Sequence, residues 1–128
     1  MKLYIAGADK TMAANLALVC RDAGHEIVAR WLAEPFKRTN KYEENERVQL
    51  AIKDVEDITA ADAVVLCSSL DLVPGGKFVE AGVALGQMKM VYVLGRRENM
   101  LMWHPQILQF NNIKDLLEAL GRVLVSRD

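Results

Sequence analysis

The chain has 128 residues, a length that fits one compact domain with a single core. Its 16 basic and 17 acidic side chains nearly cancel and 52% of the residues are hydrophobic, which is typical of a globular enzyme-sized domain and excludes a strongly basic nucleic-acid surface. No stretch approaches the roughly 18 apolar residues of a membrane span, and "MKLYIAG" is too short for a signal peptide. We therefore expect one domain over residues 1–128, cytoplasmic, with neither a membrane nor a nucleic-acid partner.

Apolar strands alternate with helices along the chain. The predicted strands are 2–6, 26–31, 62–68, 90–95 and 106–110, and the predicted helices are 12–23, 42–60, one that follows Gly75 and Gly76, and a last one from residue 113. In helix 42–60 the spacing of the apolar residues predicts a stripe that faces the core: Val48, Ala51, Ile52, Val55 and Ile58. Two longer loops are predicted at 32–41 and 96–105, and long loops often carry function.

Because the strands are apolar nearly throughout, they predict a mostly parallel sheet of about five strands with helices on both faces, a three-layer α/β sandwich. Ligands bind beyond the carboxyl ends of the strands in such sheets. Three segments meet that description: 7–11, 68–80 and 95–104. Cys20 and Cys67 have no metal-ligand spacing, so we expect both to be buried, reduced thiols and the protein to need no metal.

Glu80 is the most conspicuous candidate for chemistry. It follows Gly75 and Gly76, which allow a tight turn and a close approach of ligand to the main chain. A helix that starts after the glycines places Glu80 in or near its first turn, where the macrodipole favours the ionised carboxylate. Glu80 is then either a nucleophile in the crevice at the strand ends or a surface acid that only complements the dipole.

Three further residues have two readings each. Asp54 borders the predicted apolar stripe, whereas Asp57 should face the opposite side; Asp54 either leans over the end of the sheet or is a solvated helix acid. Tyr4, near the end of the first strand, is either a core residue or the group that orients a catalytic carboxylate. Trp31, at the end of the second strand, is either core or a stacking platform for a heterocycle.

Two common nucleotide-binding motifs are absent. "GGK" does not complete the phosphate loop G-x-x-x-x-G-K-[ST], since Phe78 follows the lysine, and "AGADKT" lacks the dinucleotide pattern G-x-G-x-x-G. The run "MLMW", residues 100–103, is unusually apolar for a loop and either closes over a ligand or packs against a neighbouring subunit.

Taken together, these residues resemble the nucleoside 2-deoxyribosyltransferase family, a flavodoxin-like α/β group that includes deoxynucleoside 5′-monophosphate N-glycosidases. "KLYIAG" resembles its first strand, whose tyrosine orients the nucleophile, and "DVEDITAAD" resembles the segment whose acid contacts the base or helps to protonate it. "GGKFVEAGVALGQMK" is similar to the glycine-rich turn and helix that carry the nucleophilic glutamate. The resemblance implies that Tyr4, Asp54 and Glu80 take these three roles.

The resemblance also implies contacts around the substrate. Its implied binding residues are Gly7, Trp31, Ser68, Asp71, Gly75, Gly76, Asn99 and Met102. Family members often have an aspartate or serine six residues before the nucleophile, but this chain has Pro74 there, so Ser68, Ser69 or Asp71 would have to substitute. Lys77, Arg96 and Arg97 are the cations that could meet a 5′-phosphate, and Trp31 or Phe36 could stack on a base.

The implied function is cleavage of the N-glycosidic bond of a 2′-deoxynucleoside, or its 5′-monophosphate, through a covalent intermediate on Glu80 and without a cofactor. Transfer to another base makes a transferase, and transfer to water makes an N-glycosidase. A different class stays open, a non-catalytic nucleotide-binding module. The family commonly completes its site from an adjacent subunit, so we expect a homo-oligomer in which Asn99 reaches the sugar of a neighbouring site.

Overall fold

A five-stranded, all-parallel sheet forms the centre of the protein. The computed structural model describes residues 1–34, 41–68 and 75–126, with side chains through residue 122. The strands are β1 (Lys2–Gly7), β2 (Glu26–Ile27), β3 (Ala63–Cys67), β4 (Met90–Leu94) and β5 (Ile107–Phe110), in the order β2-β1-β3-β4-β5. The helices are α1 (Lys10–Asp22), α2 (Glu44–Ala60), α3 (Gly76–Gly86) and α4 (Ile113–Ser126). This is the flavodoxin-like strand order, and the predicted α/β sandwich is confirmed.

Alternation along β1 assigns its side chains to two separate cores. Leu3 and Ile5 pack with residues of α1 and α4, whereas Tyr4 and Ala6 pack with residues of α2 and α3 on the other face. All four are fully buried. Any side chain that contacts Tyr4 from a helix must therefore come from the α2–α3 layer, and that layer carries both Asp54 and Glu80.

The second strand is shorter than predicted. β2 pairs with β1 only at Glu26 and Ile27, and a 3₁₀ helix follows at Arg30–Ala33, so Trp31 lies on this helix and not on a strand. Two side-chain hydrogen bonds explain the change. The Trp31 Nε1–H donates to the Ile5 carbonyl at 2.7 Å, and Arg30 is bound by Asp57 of α2. Because of these contacts, the chain after Ile27 does not continue alongside β1 as an edge strand.

The predicted apolar stripe of α2 does not face the core. Val48, Ile52 and Val55 are each about half exposed, at 50%, 46% and 46%, and only Ile58 of the stripe is buried. The buried side of α2 instead includes the charged Asp57. The predicted helical periodicity is confirmed, but the apolar stripe faces away from the core, and the side of α2 that faces the core carries the Asp57–Arg30 ion pair.

Two glycines adopt a backbone conformation that other residues rarely tolerate. Gly24 has φ +98° directly after α1, where the predicted helix end is confirmed. Gly95 has φ +114° after β4, and a Cβ added there would lie 3.0 Å from the Ser68 carbonyl oxygen.

Cys20 and Cys67 are buried free thiols, as predicted. None of the described helices is long and apolar enough to cross a membrane.

Candidate active site

Tyr4 presents a buried hydroxyl with no hydrogen-bond partner among the described residues. Burial, followed by the carboxylates of Glu80 and Asp54, raises the pKa of Tyr4 far above its usual value. The hydroxyl therefore keeps its proton at any physiological pH and can act as a hydrogen-bond donor. The structure shows that Tyr4 is a core residue beside the carboxylates of Glu80 and Asp54, and its role in orienting a catalytic carboxylate remains a prediction.

Glu80 lies deeper in its helix than the sequence suggested. α3 begins at Gly76, so Glu80 is its fifth residue, and the first turn contains no acid. The dipole effect fades within the first turn, and burial dominates instead. Burial, and secondly the Asp54 carboxylate, raise the pKa of Glu80 to about 8, while the Tyr4 hydroxyl acts to lower it. The expectation that the dipole keeps Glu80 ionised is therefore wrong.

The Glu80 carboxylate also contains an unsatisfied atom. Its Oε2 is buried and, like the Tyr4 hydroxyl, lacks a hydrogen-bond partner in the described part of the chain. In addition to the effect of burial, a hydrogen-bond interaction between the two side chains acts to raise the pKa of Tyr4 and to lower that of Glu80, although the geometry of these atoms is not that of a well-formed hydrogen bond. Buried polar atoms are rarely left unpaired in native proteins. Two such atoms side by side retain hydrogen-bonding capacity that a bound ligand could use.

Asp54 brings a second carboxylate to the same place from α2. Burial, and secondly Asp57, raise its pKa to about 6. Asp54 and Glu80 are thus neighbouring acids with midpoints near 6 and 8, and near neutral pH the pair holds about one proton. A site that performs nucleophilic attack and proton donation needs one ionised group and one protonated group, which is one proton for two acids.

Asp57 contradicts its predicted orientation and was missed as a site residue, together with Arg30. Asp57 is only 6% exposed, and its two carboxylate oxygens accept hydrogen bonds from the Arg30 backbone N–H at 2.9 Å and from Nε at 2.8 Å. A signal was present in the sequence. Asp54 and Asp57 are three residues apart, and residues at this spacing share a helix face.

The start of α3 is tied to the segment after β4 by buried charges. The Lys77 Nζ lies 2.7 Å from Glu98 Oε2, and the side chains are 1% and 13% exposed. The Ser68 hydroxyl lies 2.6 Å from the same oxygen and 2.8 Å from the Arg96 carbonyl. Sequence reasoning offered Lys77 and Ser68 as substrate contacts and did not find Glu98. In the structure both side chains are engaged in this network.

Close packing explains one of the three glycines predicted to line the site, and the described residues give no such reason for the other two. Gly7 ends β1, where an added Cβ would lie 3.0 Å from the Cys67 Cβ, so close packing of β1 on β3 explains it. Gly75 and Gly76 have no positive φ, and an added Cβ at either would meet no atom of the described residues within 4 Å. A tight turn therefore does not require them, and the predicted close approach of a ligand remains a prediction.

Trp31 reaches the carboxyl end of β1 through its indole N–H, which is bound to the Ile5 carbonyl. Its ring packs partly against both cores, so its position is fixed. Stacking on a base remains a prediction. Asp71 and Phe36, the other residues proposed to touch the substrate near these loops, lie outside the described residues.

Asn99 and Met102 lie on a different side of α3. Together with Phe78, Gly82 and Leu85, among others, they line a narrow groove of about 40 Å³. At 100° per residue, Glu80 is about 160° around the helix from both Phe78 and Gly82. Met102 is only 2% exposed and fills the core, while Asn99 is exposed. Within one chain the structure does not bring these two residues together with Glu80.

No protein-family model matches the sequence, and no curated protein matches it. Solved structures share its fold. A 2-deoxyribosyltransferase from Bacillus psychrosaccharolyticus superposes with a TM-score of 0.73 at 20% identity, covering 91% of this chain and 90% of its own. The CMP N-glycosidase BcmB of Clostridium botulinum has a TM-score of 0.61 at 16% identity, with 94% and 99% covered.

The same fold also occurs in a protein described in another context. DNA processing protein A of Helicobacter pylori, known for its binding of single-stranded DNA, has a TM-score of 0.64 at 19% identity over 95% of this chain and 80% of its own. At these identities the likeness shows the fold, and the predicted flavodoxin-like architecture is confirmed. Since one fold hosts several functions, the function must be argued from the side chains of the site.

Proposed function

We propose that the protein cleaves the N-glycosidic bond of a 2′-deoxynucleoside, or of its 5′-monophosphate, through a covalent deoxyribosyl ester on Glu80. The observation that carries the proposal is the proximity of the buried Glu80 Oε2 to the buried Tyr4 hydroxyl, neither of which completes a well-formed hydrogen bond within the described part of the chain, next to a second acid, Asp54. Two carboxyl groups with separated pKa values are what a retaining glycosyl transfer requires.

In the first step a Glu80 carboxylate oxygen forms a bond to the anomeric carbon as the carbon–nitrogen bond breaks. The electron pair leaves with the base, which takes up the proton of Asp54, and such a donor typically contributes about 10²- to 10⁴-fold. The Tyr4 hydroxyl orients the carboxylate. In the second step another base, or water, attacks the same carbon from the side that the first base left; its proton passes to the Asp54 carboxylate, and the ester bond breaks to free Glu80. The reaction balances without a cofactor.

Two of the fold neighbours support this class of chemistry, since one is a 2-deoxyribosyltransferase and another a CMP N-glycosidase. These two neighbours do not determine the acceptor, the sugar, or whether the substrate carries a 5′-phosphate. The charges near the site favour a substrate without a 5′-phosphate. Lys77 is buried against Glu98, and Arg97 donates to the Met102 carbonyl and lies 4.3 Å over the Trp103 ring, so two of the three candidate cations are already engaged.

A homo-oligomer with a shared site is part of the proposal. Asn99 lies across α3 from Glu80, so a contact between Asn99 and a sugar on Glu80 would come from a second copy. Met100, Leu101 and Trp103 are 86%, 75% and 68% exposed, which is a large apolar surface for one 3₁₀ helix. Light scattering after size exclusion tests this: a monomer with full activity would refute the shared site.

Chromatography of free base tests the function. The protein is incubated with the four deoxynucleosides and with their 5′-monophosphates, with and without an acceptor base, beside Glu80→Ala and Glu80→Gln. Glu56→Gln, an exposed acid on α2, is the matched control. We expect release by the parent and the control and none by the Glu80 variants, with the ester trapped by rapid acid quench and detected by intact mass.

The pattern of substrates then separates the alternatives. Exchange of one base for another indicates a transferase, release without an acceptor indicates an N-glycosidase, and activity confined to monophosphates identifies the nucleotide hydrolase. Binding of nucleotides without turnover, insensitive to Glu80→Gln, would identify the non-catalytic module and refute the proposed reaction.

A further inference from the structure

The ion pair of Asp57 and Arg30 lies one helical turn from Asp54. It joins α2 to the 3₁₀ helix Arg30–Ala33, and the arginine binds both oxygens of the carboxylate, through its backbone N–H and through Nε. A second ion pair, Lys53 with Glu34 at 2.8 Å, joins the same two parts of the chain just beyond the 3₁₀ helix. Asp54 lies between Lys53 and Asp57 in the sequence of α2, so the two ion pairs lie on either side of it along the helix.

The two charges of the Asp57–Arg30 pair are unequally screened. The Asp57 side chain is 9% exposed, whereas the Arg30 side chain is 50% exposed. Water screens the guanidinium strongly and the buried carboxylate weakly. A pair that is neutral overall therefore presents a net negative field to the protein interior, and residues three apart on a helix have Cβ atoms about 5–6 Å from each other.

We propose that Asp57 is a positioning residue for proton transfer, whose fixed charge, anchored by Arg30, increases the fraction of Asp54 that carries a proton for the departing base. This inference rests on the proposed function. The proton passes from the Asp54 carboxyl to a ring nitrogen of the base as the glycosidic bond breaks, and the bond's electron pair leaves with the base. Asp57 and Arg30 exchange no proton in this step. Without the buried charge, a smaller fraction of Asp54 would be protonated at neutral pH.

All groups that face Asp54 bear on the test. Among the described residues, the titratable or charged groups that interact with Asp54 are Lys53 and Asp57 on α2, Arg30 in the 3₁₀ helix and Glu34 directly after it, Glu80 on α3 and Tyr4 on β1. Burial has the largest effect and Asp57 the next, and Lys53 and Arg30 oppose them. Only Asp57 combines a like charge with near-complete burial, which is why it is the residue to change.

The experiment is a ¹³C NMR titration of the Asp54 carboxyl in the parent, Asp57→Asn and Arg30→Gln, with Glu56→Gln as the control. Glu56 also contacts Arg30, at 3.7 Å, but its side chain is 61% exposed. We expect the midpoint of Asp54, near 6 in the parent, to fall by about one pH unit in Asp57→Asn and to rise in Arg30→Gln, and to stay in place in Glu56→Gln. A fall of that size reduces the protonated fraction of Asp54, and with it kcat/KM at pH 7, about tenfold.

An unchanged midpoint in a folded Asp57→Asn variant would overturn the proposal, as would a shift in the same direction in both variants. Circular dichroism shows whether Asp57→Asn folds. If it does not, the proposal stands or falls on whether the Asp54 midpoint rises in Arg30→Gln, where the residue 30 backbone N–H can still bind Asp57. The titration requires no activity. A shift without turnover would refute the proposed function alone, and turnover without a shift would refute the inference alone.

Discussion

Replacing Glu80 by glutamine should stabilise the protein, by an amount that grows with pH. Burial and Asp54 raise the pKa of Glu80 from 4.5 to about 8. The folded state therefore binds the Glu80 proton more tightly than the unfolded chain does. By linkage, the stabilising contribution of this group is complete below pH 4.5 and is lost as the pH rises through 8.

The size of the effect follows from the same pKa values. A change from 4.5 to about 8 corresponds to about 5 kcal/mol of unfolding free energy, since each pKa unit corresponds to about 1.4 kcal/mol. Glutamine imitates the protonated acid and cannot ionise. The stability difference between Glu80→Gln and the parent should therefore be small near pH 4.5 and approach ~5 kcal/mol above pH 8, as an upper limit, because the buried amide also needs hydrogen-bond partners.

Urea unfolding followed by circular dichroism at several pH values between 4.5 and 8.5 measures this difference, with Glu56→Gln as an exposed control that should show no trend. Asp54 and Glu80 titrate as a coupled pair, so the change of the stability difference with pH reports on both carboxyl groups. A stability difference that does not change with pH would refute the reasoning. Glu80 would then be a solvated helix acid, the plainer of the two readings of its sequence position.

Further expectations concern the pH profile and the buried ion pair. Because attack needs Glu80 ionised and donation needs Asp54 protonated, kcat/KM for base release should be flat between about pH 6 and 8 and fall tenfold per unit on either side; a steady rise above pH 8 would contradict the role of Asp54. Glu98→Gln should cost about 3 kcal/mol in urea unfolding because it removes the carboxylate beside the buried Lys77. Glu34→Gln, at a pair about one third exposed, should have a far smaller effect, and equal effects would contradict the argument from burial.

Local rules predict that Tyr4 and Glu80 lie near one edge of the sheet, whereas only the family resemblance brought Asp54 together with them. Apolar strands alternating with helices predict a parallel sheet, and period-two alternation in β1 separates Tyr4 from its neighbours Leu3 and Ile5. The ends of adjacent parallel strands then bring the following segments to one edge. The first two of these steps use residues close to each other in the chain, whereas the last depends on strands about 60 residues apart.

The orientation of α2 could not be predicted, because helical periodicity defines a stripe but does not say what the stripe faces. Val48, Ile52 and Val55 form the apolar stripe, yet Asp57 is buried because Arg30, 27 residues earlier, supplies two hydrogen bonds. The shortening of β2 has the same origin, since Arg30 and Trp31 bond to α2 and β1. Contacts between distant side chains override the pattern of a single element.

The raised pKa of Glu80 is compatible with its proposed role as a nucleophile when the two acids are treated as one unit. In the free protein the shared proton resides mainly on Glu80, the weaker acid of the two, so the arrangement with Glu80 ionised and Asp54 protonated is about 1% of the total near pH 7. A carboxylate in that minor form is poorly solvated and therefore reactive. A substrate that donates hydrogen bonds to Glu80, or places a base nitrogen beside Asp54, would favour the competent arrangement only when it is correctly seated. The burial that makes Glu80 a poor acid thus also makes its ionisation depend on the ligand.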